Sequence, residues 1–423
     1  MPEMKDSGIE WIGMIPKNWN VDKIKYHLKR NEPKNPGNVE VLSVYREYGV
    51  IPKNSRDDNH NITSEDTSKY KYVKKGDLVI NKMKAWQGSM GVSEYEGIVS
   101  PAYFIYNFTD NYFDKKYFHF LIRNCYKDEF RRISGGIREG QWDLSADLFA
   151  DELVLIPPIK EQIKILEFLN TKCAEIDTLY SDIEKQIETL EEYKKSIITE
   201  AVTRGLDPDV EMKDSGIEWI GMIPKHWNLK RLGFASVMQN GYVGATQDIL
   251  VDDGERYIQS LHIKDGQIMF GNDFFVTKEW GEKHPKMYKG DILVVQTGDI
   301  GQVAIVDDEY DGCNCHALII CHVDNVNFVS QFLLYYLMSY AGNRELIRYQ
   351  TGTTLKHLNS SKIKYSKMVV PPKDEQSEIV KHLTPIIREV ELVIEDKKKQ
   401  LETLEQYKRS LIYEYVTGKK EVK

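Results

Sequence analysis

The chain has 423 residues, room for two to four domains that each bury a core. Its 25 tyrosines and 7 tryptophans and its lack of low-complexity tracts exclude a disordered chain, and apolar runs such as 317–321 are far too short to span a bilayer. The net charge of −8 is uneven: residues 20–156 sum to +1, residues 228–370 to −2, and the rest to −7, so a basic face on either middle segment is not excluded.

The N-terminus lacks a basic region followed by an apolar one, so no signal peptide is expected. Five unevenly spaced cysteines (Cys125, Cys173, Cys313, Cys315, Cys321) fit a reduced cytoplasm better than a disulfide framework.

In chain order, the sequence is written twice. The opening MKDSGIEWIGMIPKNW at 4–19 returns at 212–227 with 15 of 16 residues identical. A middle segment follows each opening, at 39–156 and 228–370. Both middles alternate short apolar runs with Pro, Gly and Asn, followed by one helix-like segment, near 117–132 and 328–349. Each middle therefore reads as an α+β domain, and Lys-Gly-Asp at 75–77 and 289–291 sets a turn before a buried strand in both. Next comes a Pro-Pro-x-x-Glu-Gln junction, at 157–162 and 371–376. It reads as a helix start, with proline at the tolerated first turn and Glu161 or Glu375 near the positive end of the dipole. Pro385 predicts a break or kink in the second copy, whereas the first has Thr171 at that place.

Stretches 176–203 and 390–417 close the two copies; across 187–203 and 401–417, 11 of 17 residues are identical. Ile176, Tyr180, Ile183, Ile187, Leu190, Lys194, Ile197 and Ala201 alternate at spacings of four and three. Val390, Ile394, Lys397, Leu401, Leu404, Lys408, Leu411 and Tyr415 repeat the phase, giving a coiled-coil seam. Lys194 and Lys408 share one seam position and are expected to snorkel outward rather than set register. Gly205 with Pro208, and Gly418, supply the stops. Two such helices in one chain most simply pair with each other. The resulting domain boundaries are 1–157 and 208–371 for the mixed domains, and 158–207 and 372–423 for the helical spacers. A nearly duplicated frame carrying two diverged domains should read two different things.

Candidate DNA contacts are basic and amide side chains near aromatics on loops: Lys82, Lys84, Trp86, Gln87, Ser89, Arg138 and Gln141 in the first middle. Trp86 and Trp142 read equally well as core aromatics. In the second middle the matching loops offer Gln296 and Thr297, then Thr353, Thr354, Lys356 and His357. Trp11, Trp19, Trp219 and Trp227 lie in the repeated frame and read as packing. Cys313, Cys315, His316, Cys321 and His322 match no usual zinc spacing and read as buried-strand residues. No methyltransferase Asn/Asp-Pro-Pro-Tyr/Phe motif and no phosphate loop occurs, and 208–213 reads as linker.

The openings Asp6-Ser7-Gly8-Ile9-Glu10-Trp11-Ile12-Gly13 and 214–221, both junctions, and the helix end Thr199-Glu200-Ala201-Val202-Thr203-Arg204-Gly205-Leu206 resemble the specificity subunit of type I restriction-modification systems. The resemblance covers essentially the whole chain. It implies two similar α+β target-recognition domains separated by a long antiparallel two-helix coiled coil, with a pseudo-twofold internal repeat. Each domain would read one half of a bipartite, asymmetric double-stranded DNA target. The coiled coil would set the gap and dock two modification subunits in the cytoplasm, with no membrane partner. Such a subunit is not an enzyme and holds no metal or cofactor. S-adenosylmethionine belongs to the methyltransferase partner, and ATP and Mg to motor-nuclease restriction subunits where these join. The alternatives are a coiled-coil scaffold with two protein- or carbohydrate-binding domains, or an enzyme with an unfamiliar site.

Overall fold

The computed structural model describes residues 3–37, 39–46, 48–55, 66–136, 142–271, 274–352 and 356–422. The chain divides into two compact units, Met1–Ile183 with Lys399–Lys423, and Glu184–Lys398. Two long helices, Ile159–Arg204 and Lys373–Val416, each begin in one unit and end in the other.

The helices start well before the heptad pattern does, because the junction itself nucleates them. The second proline of each pair offers its carbonyl to the amide of the junction glutamine, Gln162 or Gln376, at 3.0 Å in both copies. The predicted break at Pro385 is absent, and one helix runs through it. Proline forfeits a backbone hydrogen bond there. Leu383 and Ile387 on either side are 1% and 6% exposed, so packing holds the turn in place.

The junction glutamines do more than start a helix. Gln162 is fully buried, with its amide nitrogen donating to the carbonyls of Tyr112 (2.7 Å) and Pro157 (2.8 Å). Its amide oxygen accepts from the backbone of Asp114 (2.8 Å), whose carboxylate caps the helix Lys115–Cys125. Gln376 repeats this on Pro371 (3.0 Å) and Val329 (2.9 Å), just before the helix Ser330–Met338. One buried amide in each unit thus ties the long helix to the mixed domain.

Each unit holds a four-stranded antiparallel sheet with the same connectivity. In the first, the order is Leu28–Arg30, Tyr103–Phe108, Leu78–Asn81, Met90–Val92. In the second it is Ser236–Asn240, Leu318–Val323, Ile292–Val295, Val303–Ile305. The Lys-Gly-Asp turn leads into the third strand of each order, with Gly76 at φ +91° and Gly290 at φ +87°. The aspartate closes the turn by accepting from Lys74 N (2.8 Å) or Tyr288 N (2.7 Å). Burial pushes both carboxyls up, against the hydrogen bonds that favour their charge.

Where one helix-like segment was expected after each sheet, there are two. Lys115–Cys125 is followed by Lys127–Arg132, and Ser330–Met338 by Tyr340–Ile347. The break in the second unit is made by Ser339, fully buried, whose hydroxyl donates to Tyr336 O (2.6 Å) and accepts from Gly342 N (3.1 Å). A serine that caps a new helix is a breaker hidden inside an apolar periodic run.

Within the first unit, Asp177 meets Lys408 at 2.6 Å and Phe168 stacks on Tyr415 at 4.4 Å, so the two helical stretches run antiparallel. Within the second, Gln186 meets Lys397 at 2.6 Å and Lys194 lies 3.6 Å from Glu391, again antiparallel. Of the seam residues, Ile176, Val390, Ile394 and Leu411 are buried, while Tyr180, Ile183, Ile187, Leu190, Ile197, Leu401, Leu404 and Tyr415 are half-buried. The seam lysines do not snorkel. Lys194 is 6% exposed and hydrogen-bonds Glu191 at 3.1 Å, and Lys408 holds Asp177 on the opposite helix. Burial works against the Lys194 charge, but Glu191, Asp265 and Glu391 outweigh it and its pKa is raised.

The openings form short hairpins, Met4–Asp6 with Met14–Pro16 and Met212–Asp214 with Met222–Pro224. Trp19 and Trp227 are buried below them, and Trp11 and Trp219 are half-buried. The first hairpin seats on the end of the second long helix: Tyr413 Oη donates to Trp11 O (3.1 Å) and Lys419 Nζ to Met14 O (2.6 Å). The second seats on the end of the first, where Gly205, at φ +80°, lies against Trp227.

Candidate nucleic-acid interface

The sheet decides which loops can meet. In the first unit the strand Leu78–Asn81 runs into the loop 82–89, and the hairpin Ser134–Gly135 with Asp143–Leu144 lies beside it. Leu144 N donates to Lys82 O at 2.9 Å, and Lys82 Nζ pairs with Asp143 at 2.7 Å. In the second unit Leu358 N donates to Gln296 O at 2.9 Å, the same bond 214 residues on. Both pairs of sequence-selected loops therefore converge, in equivalent places on one fold, with different side chains.

In the first unit Trp86 and Trp142 lie 5.6 Å apart, both half-buried, so neither is a fully enclosed core residue. Trp86 Nε1 donates to Met83 O (3.2 Å), and the Arg131 guanidinium lies 5.9 Å from the Trp142 ring. Lys84 is exposed. Gln87 accepts at its amide oxygen from Arg46 at 2.9 Å, which turns the Gln87 NH₂ group outward as a donor. Ser89 does not belong to this surface. It is 4% exposed and its backbone closes the loop onto Asn81 and Lys84. Lys82 is half-neutralised by Asp143 and orders the loop as much as it offers charge. Arg138 and Gln141 lie outside the described residues. Arg46 was missed because it stands on a distant hairpin, and only the fold brings it to Gln87.

In the second unit Thr297 and Thr351 each form a bridge with His357, and Thr351 Oγ1 lies 3.1 Å from His357 Nε2. Lys356 and His357 are exposed. Gln296 turns its amide oxygen inward, buried and without a partner among the described residues, so it is poorly placed for two-point base contact. Thr353 and Thr354 lie outside the described residues. Cys315 and Cys321 are fully buried on strands, and burial pushes both thiols up to about 12. His322 is held by Asp291 at 2.8 Å, and Cys313 and His316 are half-buried.

This arrangement is that of a DNA-reading subunit built on a repeated frame. The family model for the type I restriction modification DNA specificity domain matches residues 242–403. The MjaVIII type I restriction enzyme specificity subunit of Methanocaldococcus jannaschii is 24% identical over 428 residues, covering 97% of this chain and 94% of that one. The EcoBI specificity subunit of Escherichia coli is 28% identical over 250 residues, covering 57% of this chain and 52% of that one. A chain solved in work on complex assembly and conformational transition of the type I R-M system shares the fold, with TM-score 0.68 at 12% identity over 95% of this chain and 98% of that one. The chain belongs to the specificity-subunit family of type I restriction-modification systems. Among the described residues, no helix is long and apolar enough to cross a membrane.

Proposed function

We propose that each mixed domain reads one half of a bipartite, asymmetric DNA target, and that the paired long helices set the gap between the halves and dock two methyltransferase subunits. The observation that carries this reading is the equivalent pair of loops, joined by one repeated hydrogen bond and lined with different side chains. An asymmetric target follows because Lys84, Gln87 and Trp142 have no like counterparts at Lys356 and His357. As a specificity subunit the chain is not itself the enzyme. Methylation, with S-adenosylmethionine, resides in the modification subunits, and ATP- and Mg-dependent cleavage in motor-nuclease subunits where these join. The seat of this work is the cytoplasm, where DNA and these subunits meet.

Methylome sequencing of the native cells should reveal adenine methylation in a split, asymmetric motif, and deleting the gene should erase it. An unchanged methylome after deletion would end the proposal. At finer scale, Lys84→Ala should weaken binding about evenly across sequences and lower the salt slope by about one, as loss of a phosphate contact does. A salt titration of the DNA complex reads this directly, and an unaltered slope would remove Lys84 from the interface. A flat salt dependence in the wild-type complex would favour a protein- or carbohydrate-binding scaffold instead.

A further inference from the structure

The loop before the Lys-Gly-Asp turn of the second domain carries a polar group that neither reading loop accounts for. His284 lies flat on Trp280, with ring centroids 3.7 Å apart and planes 14° from parallel. The Tyr242 ring abuts both edge-on, at 5.1 Å from Trp280 and 5.3 Å from His284. His284 Nδ1 is 2.7 Å from the carbonyl oxygen of Trp280. A carbonyl only accepts, so the proton sits on Nδ1 and the neutral ring presents Nε2 as an acceptor.

The backbone is fixed as firmly as the ring. Asn314, 1% exposed, donates its amide to the carbonyls of Gly281 (3.1 Å), His284 (3.3 Å) and Pro285 (2.9 Å). Thr277 caps the short helix Lys278–Glu282 that delivers Trp280. The imidazole is nonetheless only half-buried. A ring stacked, edge-packed and locked in one tautomer, yet open to solvent, is preorganised for one hydrogen bond.

Its place connects it to the reading loops. Ala317 N donates to Tyr242 O (2.9 Å), Gln296 N to Ala317 O (3.1 Å), and Leu358 N to Gln296 O (2.9 Å). Tyr242, which packs on His284, is thus one backbone ladder away from both loops. The rung between them, Ala317, is held at φ +52°, a left-handed conformation that alanine rarely adopts. Strain of this kind is retained where surrounding structure overrides it, and here it aligns the loops with the Tyr242 segment.

We propose that His284 is a specificity-determining residue of the second domain, with Nε2 accepting a hydrogen bond from the exocyclic amino group of an adenine or cytosine in the second half-site. The surrounding loops mostly offer donors, and amino groups in the major groove need an acceptor. The inference rests on the proposed function, and its test separates the two.

The variants His284→Phe and His284→Gln replace the native gene in its own cells, and methylation is mapped. Phenylalanine keeps the stack and loses the acceptor, so one position of one half-motif should become degenerate, with discrimination falling by about tenfold. Glutamine restores an acceptor and should largely restore the base preference, while the other half-motif stays unchanged in both. A wild-type split motif that is identical in His284→Phe overturns the role of His284 and leaves the proposed function standing. Equal loss of both halves, or a melting temperature of purified His284→Phe reduced by more than about 5 °C, also overturns it, because the ring would then be a packing element. Methylation indifferent to deletion of the gene defeats the proposed function itself.

Discussion

Gln162→Leu is expected to cost about 2–4 kcal/mol, because leucine fills the space but leaves the Asp114 amide and the Pro157 carbonyl without partners. Each orphaned buried group loses its solvation and receives nothing in return, which matters more than the net worth of the bonds. For a unit of this size the melting temperature should fall by roughly 4–12 °C. Glu161→Gln, one residue away and making only a 3.3 Å contact with Asn18, should stay within about 0.5 kcal/mol. Calorimetry of the two variants decides the matter, and a Gln162→Leu loss below about 1 kcal/mol would mean that water replaces the amide. The same substitution at Gln376 should act on the second unit alone, since that side chain bonds only Pro371 and Val329.

Lys194→Met should destabilise the second unit by about 2–3 kcal/mol at neutral pH, since Glu191, Glu391 and Asp265 then face one another without a cation. The pH dependence has a definite sign. Burial already raises the Glu391 carboxyl above its ordinary value, and losing the lysine raises it further. An acid whose folded pKa exceeds its unfolded one binds protons preferentially when folded, so the deficit should shrink as pH falls toward 5. Adding Glu391→Leu should recover most of the loss at pH 7. Urea denaturation of the single and double variants measures the coupling, and strict additivity would show that the ammonium and the carboxylate do not sense each other.

Much of the frame was legible in the sequence because repetition does not depend on knowing the fold. The two openings, the Lys-Gly-Asp turns and the heptad seam each appear twice, and their spacing locates elements without any tertiary knowledge. The convergence of residues 82–89 with 135–142 could be selected from composition, since basic, amide and aromatic side chains cluster there. What escaped was whatever depends on three dimensions. Ser89 looked like its neighbours until the turn buried it. Lys194 looked like a snorkelling lysine because its partners Glu191 and Glu391 lie on two different helices. Pro385 looked like a breaker because the packing of Leu383 and Ile387 cannot be read from a proline rule. Gln162 looked like ordinary helix-start punctuation, although its amide is a joint between domain and helix. His284 carried no motif at all, since its partner Asn314 lies thirty positions away.

The first hairpin seats on a helix end encoded some four hundred residues later, while the second seats on the helix that immediately precedes it. Each unit is therefore completed by a stretch of helix borrowed from the other half of the gene. The lender is interchangeable, because 187–203 and 401–417 agree at 11 of 17 positions. A fragment ending near residue 207 owns an opening, a domain and a helix, and lacks only the borrowed piece, of which it carries a near-copy. Two such fragments should trade those pieces and assemble as a symmetric homodimer, with twice the fragment mass by light scattering; a stable monomer would refute this. Such a dimer would carry the same address on both arms, and so would ask for an inverted repeat in place of an asymmetric site.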